Sequence, residues 1–124
     1  MKYKVNNPAR EFKIGYQDSI TVRDCAHIEL EPGELITLTT ESGTELDILK
    51  KEWGYYATPS LNNRLPKFGL RSALVRSPDG RFFLVMIEDG KKKEFEKYLA
   101  SENLEVVTWM DSNDSLENLR QKLK

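Results

Sequence analysis

The chain has 124 residues, of which 39% are hydrophobic and 31% are charged, and its formal net charge is −1. This length fits one domain with its own core. The near-neutral charge lacks the overall basic excess of nucleic-acid-binding proteins and argues against a nucleic-acid partner. Cys25 is the only cysteine, which excludes an intramolecular disulfide and fits a reducing compartment.

The first residues are polar and predict a loosely held beginning of the chain. No apolar run follows their charges, so they do not match a signal peptide. No stretch of the sequence approaches the roughly 18 apolar residues of a membrane span. We therefore expect a soluble, cytoplasmic protein that does not bind membranes, with a flexible N-terminal arm over residues 1–10 and a single globular α+β domain over residues 11–124.

Alternating apolar and polar residues predict an antiparallel, β-rich N-terminal part. Residues 12–16 predict a short strand, and residues 20–30 predict a longer one with one apolar face. Asp24 interrupts that face, which predicts a bulge or a buried polar contact. Residues 34–50 predict a β-hairpin. The expected sheet has one face in water.

Residues 72–76 and 81–88 predict two strands joined by a Ser-Pro-Asp-Gly turn. Residues 82–87 are apolar on both faces, which predicts a central strand covered on both sides. A second β-hairpin therefore follows the first half of the chain.

The C-terminal part predicts two helices separated by a strand. Phe95, Tyr98 and Leu99 share a helical stripe, and Asn103 suits the left-handed residue that ends a helix. Residues 104–110 predict a strand, and residues 114–117 predict a capping box that begins a terminal helix. The fold class is therefore α+β, with a β-hairpin–α–β–α unit whose helices cover one face of the sheet.

A long segment, residues 53–71, separates the two halves and mixes aromatic, amide and basic residues. Between residues 50 and 71 there are five cations and one acid. Cations neutralise phosphate or carboxylate, aromatic rings stack on a base or sugar, and amides fix orientation. The predicted ligand-binding residues are Tyr55, Tyr56, Asn62, Arg64, Lys67 and Arg71. An equally weighted alternative is that the bulky residues of the segment only anchor it to the core; these are Trp53, Tyr56, Leu61, Leu65 and Phe68.

Cys25 and His27 are the only candidates for catalysis, and they are poor ones. They share one side of the strand at roughly 6–7 Å, too far apart for direct proton transfer. Their face also carries Arg23 and Glu29, as a solvated face does. We therefore assign no catalytic residue. A lone histidine argues against a metal site, and no phosphate-binding glycine loop points to a cofactor.

Residues 53–62, WGYYATPSLN, followed by Leu65-Pro66 and by FGLR at 68–71, resemble a stretch of small uncharacterised bacterial proteins associated with surface-glycan biosynthesis loci. The resemblance covers most of the chain from Phe12 onward and carries no established active site. It implies that the protein handles an activated sugar or works with an enzyme that does.

Three functions remain open. The first is a non-catalytic binding or accessory protein that recognises an anionic small molecule, such as a nucleotide sugar, through residues 53–71. The second is a small sugar-modifying isomerase or lyase with His27 as its base and Tyr55 or Tyr56 as its acid. The third is a protein-interaction domain, homodimeric, with an apolar patch from 82–87 or 53–68.

Exposure of the histidine separates the first two functions. A His27 in a pocket that faces the 53–71 segment favours the enzyme, and a His27 on open surface favours the binding protein. Single-stranded RNA is a minor fourth option, since it also suits arginines and aromatic residues.

Overall fold

The computed structural model describes residues 1–124 and contains eight strands and three helices. The strands are β1 (Lys2–Ile14), β2 (Ile20–Glu29), β3 (Leu35–Thr39), β4 (Glu45–Lys51), β5 (Gly54–Tyr56), β6 (Leu70–Arg76), β7 (Phe82–Glu88) and β8 (Glu105–Trp109). The helices are α1 (Arg64–Lys67), α2 (Lys92–Glu102) and α3 (Asn113–Lys122). A 3-10 turn, Tyr16–Asp18, joins β1 to β2.

The strands form three antiparallel sheets. β1 and β2 pair as a two-stranded hairpin, the second sheet has the order β3-β4-β5, and the third has the order β7-β6-β8. The predicted α+β class is confirmed, as is the β-hairpin–α–β–α order of the second half.

The predicted flexible arm over residues 1–10 is wrong, because these residues form most of β1. Tyr3 lies opposite Ile28 of β2, and Val5 lies opposite Ala26. Lysines alternate with these apolar residues at positions 2 and 4. Such alternation of apolar and charged residues is typical of a strand with one face in water. The prediction failed because it considered the polar composition of the segment and not this alternation.

The interruption predicted at Asp24 is confirmed as a bulge with a polar contact. The β1–β2 register shifts between Val5 and Arg10, and Arg10 then pairs with Asp24. The Asn6 amide donates a hydrogen bond to the Asp24 carbonyl oxygen at 2.9 Å. The extra β1 residues are thus accommodated without breaking the hairpin.

A buried carboxylate fastens the turn of this hairpin to the rest of the molecule. Glu102, at the end of α2, is only 7% exposed. It accepts hydrogen bonds from the Tyr16 backbone N–H at 2.8 Å and from the Ser19 hydroxyl at 3.1 Å. Burying a carboxylate is costly unless donors surround it, so these bonds hold the turn against α2.

The small core lies on β6. Its buried apolar residues are Leu65, Leu70, Ala73, Val75 and Ile87. β6 is the central strand of its sheet and β7 is an edge strand, so the prediction of a covered central strand at 82–87 is wrong. Phe82, Phe83 and Leu84 of β7 are exposed. An apolar run does not reveal which strands flank it, and edge position depends on tertiary pairing.

The C-terminal end of α2 agrees with the prediction from the sequence, and the N-terminal end of α3 does not. Asn103 ends α2 in the left-handed conformation with φ 54°, as predicted. α3 is capped by Ser112, whose hydroxyl accepts from the Ser115 N–H at 3.1 Å. The capping box predicted at 114–117 is therefore wrong, because the helix begins earlier and Asp114 lies within its first turn.

A pair of glycine substitutions tests the close packing around the hairpin turn. Gly15 has φ 83° and ψ −177°, and an added Cβ there would collide with Glu102 Oε1 and with the Ile20 side chain. Gly43 has φ 90° with nothing near its added Cβ. We expect Gly43→Ala to lower the free energy of unfolding by about 1–2 kcal/mol and Gly15→Ala by at least about 3 kcal/mol, because the collision adds to the backbone strain. Equal losses of unfolding free energy in urea denaturation would contradict the close packing of the turn against Glu102 and Ile20.

Candidate functional site

The segment over residues 53–71 is an ordered connection that contains β5 and α1. β5 extends the second sheet by pairing with β4. Leu65 in α1 is fully buried, whereas Trp53 and Tyr56 are exposed. Anchoring to the core therefore explains Leu65 but leaves these two aromatic residues available for another role.

Arg64 is held by an acidic residue of β4. Its Nε donates to Asp47 Oδ2 at 2.7 Å, and its guanidinium lies 4.3 Å from the centre of the Phe68 ring. The Thr37 hydroxyl donates to the other Asp47 oxygen at 2.7 Å. The Arg64 hydrogen bond, followed by that of Thr37, holds the pKa of Asp47 below its ordinary value. The charge of Arg64 is therefore balanced within the chain.

Arg71 and Asn62 are also engaged, each with a different part of the fold. Arg71 Nε donates to Asp111 Oδ2 at 2.6 Å, and its guanidinium lies 4.4 Å from the Trp109 ring centre. The Asn62 amide donates to the Asn113 side chain at 2.6 Å. Lys67 is exposed. These contacts tie the segment to its neighbours and direct Arg64 and Arg71 toward separate carboxylates.

Tyr55 and Tyr56 point to opposite faces of the second sheet because they are neighbours in β5. Tyr56 meets Trp53 edge to face at 5.5 Å, while the Lys50 ammonium lies 5.3 Å from the Tyr55 ring centre. Beside Trp53 is a shallow cleft of about 330 Å³ that Lys51 and Glu52 also line. A single ring ligand therefore cannot stack on both tyrosines.

His27 and Cys25 lie on the surface of β2. The His27 side chain is 69% exposed, and its Nε2 is 3.3 Å from Asp24 Oδ2. Cys25 is exposed, with its thiol 3.5 Å from the Arg23 carbonyl oxygen. This open position is the one expected to favour a binding protein over an enzyme. No three His, Cys, Asp or Glu side chains come together as a group that could hold a metal ion.

The β1–β2 hairpin is amphipathic, which the sequence reasoning missed. Residues directly opposite each other in an antiparallel pair share a face. One side, here called the apolar face, carries Tyr3 opposite Ile28, Val5 opposite Ala26, Phe12 opposite Val22, and Ile14 opposite Ile20. The other side, the charged face, carries Lys2 opposite Glu29, Lys4 opposite His27, Glu11 opposite Arg23, and Lys13 opposite Thr21.

Much of the apolar face is open to solvent. Tyr3 is 70% exposed and Val5 is 63% exposed, and Phe12, Ile14 and Ile28 are also exposed. A two-stranded hairpin has no second layer of its own and is marginally stable alone in water. In the sequence, the alternation of Tyr3 and Val5 with lysines indicates this face. The bulge after Val5 interrupts the alternation before Phe12, so the sequence pattern does not show that the face continues there.

One oppositely charged pair interrupts the apolar face near its middle. Arg10 and Asp24 are cross-strand partners between the pairs of Val5 and Phe12. Arg10 Nη2 lies 3.7 Å from Asp24 Oδ2, which is beyond hydrogen-bond distance. The Arg10 guanidinium also lies 5.2 Å from the Phe12 ring centre. Apart from this pair, which has no net charge, the paired positions of the face are apolar.

At its Ile14 end the apolar face borders a cleft of about 760 Å³. The cleft lies between the hairpin, the third sheet and α2, and most of its lining residues are hydrophobic. Phe83 and Val85 line it from β7, and Tyr98 lines it from α2. The apolar surface therefore continues beyond the hairpin itself.

The total exposed surface is large for the size of the chain. It measures 9349 Å², whereas the size scaling of compact monomers predicts roughly 6,800 Å² for a mass of 14.4 kDa. Only eight residues are buried. The excess of roughly 2,500 Å² is surface that a compact monomer of this mass would have covered.

Comparisons with known proteins give no match to a family model, to a curated protein or to a solved structure. Within the fold, no helix has both the length and the apolar character needed to cross a membrane.

Proposed function

We propose that the chain is a non-catalytic protein-interaction module that works through the apolar face of β1 and β2. The observation that carries the proposal is the set of apolar cross-strand pairs on both sides of the Arg10–Asp24 pair, much of which is open to solvent. Monomeric soluble proteins rarely expose contiguous apolar patches larger than a few hundred Å². Such a patch marks a surface that a partner covers.

The shape and chemistry of the hairpin favour a protein as the partner. The apolar face extends over both strands, from Tyr3 to Ile14 of β1 and from Ile20 to Ile28 of β2, whereas small-molecule sites are concave and enclose their ligands. The charged face presents cross-strand partners of opposite sign, such as Lys2 with Glu29 and Glu11 with Arg23. One side of the hairpin thus suits water, and the other suits a packed interface.

Site-specific photocrosslinking in the cells that naturally make the chain tests this proposal. A photoreactive phenylalanine analogue replaces Val5 on the apolar face in one variant and Lys4 on the charged face in the matched control. We expect one discrete crosslinked product from the Val5 position and none from Lys4, because only the apolar face is covered by a partner. No product from Val5, or the same set of products from both positions, would overturn the proposal.

A second candidate function is recognition of an anionic, ring-bearing small molecule at Trp53, Tyr56 and Lys51. The specific observation is that Trp53 and Tyr56 are exposed and in mutual contact, and that Trp53 lines a cleft together with Lys51 and Glu52. The rings offer stacking surfaces, and the lysine offers a charge for phosphate or carboxylate. A nucleotide sugar, the class implied by the resemblance, has both groups.

An NMR titration with nucleotides, nucleotide sugars and sugar phosphates tests this second function. We expect saturating shifts of the Trp53 indole N–H signal, with the Trp109 indole unaffected as an internal control. Tyr56→Ala should weaken binding by about tenfold, as expected for a lost stacking contact. Tyr55→Ala is the matched control and should leave affinity unchanged, because Tyr55 points to the other face. The absence of any shift at Trp53 would rule out this site for the compounds tested.

The remaining predictions stay predictions. They are the isomerase or lyase with His27 as its base, the association with surface-glycan biosynthesis in bacteria, and the cytoplasmic location.

A further inference from the structure

We propose that the cleft beside the hairpin turn binds an amphipathic organic amine. The protonated amino group of the ligand pairs with Glu102, and its apolar body lies along the cleft walls. This site goes beyond the proposed interaction function, because it shares only Ile14 and Ile20 with the apolar face of the hairpin. Two independent features support it, a buried carboxylate and the composition of the cleft walls.

The local structure brings the cleft residues together from a helix and two strands. Tyr98 and Glu102 are four residues apart in α2, so they lie on the same side of the helix. Phe83 and Val85 are two residues apart in β7, so they point to one face of the third sheet. Val75 lies opposite Phe83 in β6 and is fully buried. The cleft therefore has apolar walls from β6 and β7 and a carboxylate from α2.

Glu102 is a buried acid without a basic partner in the chain. It is 7% exposed, and none of the ion pairs of the molecule includes it. Its two oxygens accept hydrogen bonds from the Tyr16 backbone N–H and the Ser19 hydroxyl, which are both uncharged donors. A carboxylate offers about four acceptor positions, so it can accept further bonds. Because buried charges in proteins are normally paired, a cation in the cleft would complete this site.

The other charged residues of the cleft lining balance each other. Asp79 and Arg81 lie in the turn between β6 and β7, and Arg81 Nε is 3.2 Å from Asp79 Oδ2. Both side chains are exposed. Glu102 is thus the one unbalanced charge among the lining residues. The net negative charge of the lining favours a cationic ligand over a fatty acid or another anionic amphiphile.

The size of the cleft and its remaining lining define the body of the ligand. Its volume of about 760 Å³ lies within the roughly 300–1,000 Å³ of small-molecule sites. Most lining residues are hydrophobic, and Tyr16, Phe83 and Tyr98 add aromatic rings, whose faces attract cations. A polyamine with charges along its whole length would leave these apolar walls uncovered. The lining therefore suits one ammonium group at the end of an alkyl or aryl body.

Calorimetric titration of the purified 124-residue chain with three octyl compounds tests the choice of head group. Octylamine, octanol and octanoate share one alkyl chain, and at neutral pH they are cationic, neutral and anionic. We expect octylamine to bind at least about tenfold more tightly than octanol, because it adds a charge-assisted hydrogen bond to Glu102. Octanoate should bind more weakly than octanol, because its carboxylate faces that of Glu102. Equal affinity for octylamine and octanol, or a preference for octanoate, would overturn the proposal.

A matched pair of glutamine substitutions in α2 tests which carboxylate holds the amine. Glu102→Gln retains the side-chain size and an oxygen acceptor for the hairpin turn, and it should lower octylamine affinity to that of octanol. Glu96→Gln makes the same change at an exposed position of α2 outside the cleft and should leave octylamine affinity unchanged. Wild-type affinity in Glu102→Gln would contradict the pairing with Glu102.

A substitution in the cleft wall keeps the test decisive if Glu102→Gln does not fold. The Tyr98 side chain lines the cleft but is 42% exposed, so its removal spares the buried core. Tyr98→Ala should weaken octylamine binding several-fold while retaining the wild-type far-ultraviolet circular dichroism. Unchanged binding in this folded variant would show that the amine does not occupy the cleft.

NMR spectra recorded during the octylamine titration locate the bound amine. The Tyr16 N–H donates to Glu102, so its signal should shift and saturate in parallel with the calorimetric titration. The indole N–H of Trp53, which lines the other cleft, should not move. Shifts at Trp53 without shifts at Tyr16 would overturn the site at Glu102. Val5 does not line the cleft, so photocrosslinking at Val5 tests the interaction function separately.

Discussion

A two-stranded sheet with one apolar face cannot cover that face by itself, and this constraint shapes the rest of the molecule. β1 and β2 place their apolar side chains on one side and their charges on the other. The buried Glu102 carboxylate holds the hairpin turn against α2 through Tyr16 and Ser19. It fixes one end of the hairpin and leaves most of the apolar face in solvent. Because the hairpin has no second layer over its apolar face, we expect a partner to cover that face.

The 53–71 segment, which is rich in cations and aromatic residues, has largely a structural role. Arg64 and Arg71 form ion pairs of 2.7 Å and 2.6 Å with Asp47 and Asp111. Both guanidiniums also lie over aromatic rings. The cations therefore connect the segment to two different parts of the fold. Trp53, Tyr56 and Lys51 remain exposed or half-buried beside a cleft, so any ligand site in this segment is smaller than its composition suggested.

The sequence predicted the features that depend on local periodicity and missed those that depend on distant partners. The strand over 20–30, the hairpin over 34–50 and the left-handed Asn103 are all present. The partners of Arg64 and Arg71 lie 17 and 40 residues away along the chain, and no local pattern identifies them. The edge position of β7 likewise depends on which strand lies beside β6. In β1 the bulge shifts the apolar residues from odd to even positions, so simple alternation fails across residues 1–14.

The most direct test of the account is whether the apolar face is covered in the cell. Cys25 is the only cysteine and is exposed on the charged face near the middle of the hairpin, so it provides an internal standard in a Val5→Cys variant. In the cells that make the chain, a membrane-permeant maleimide should label Cys25 strongly and position 5 only weakly, and both positions should react equally after the chain is denatured. Equal labelling of the two positions in cells would contradict the claim that a partner covers the apolar face.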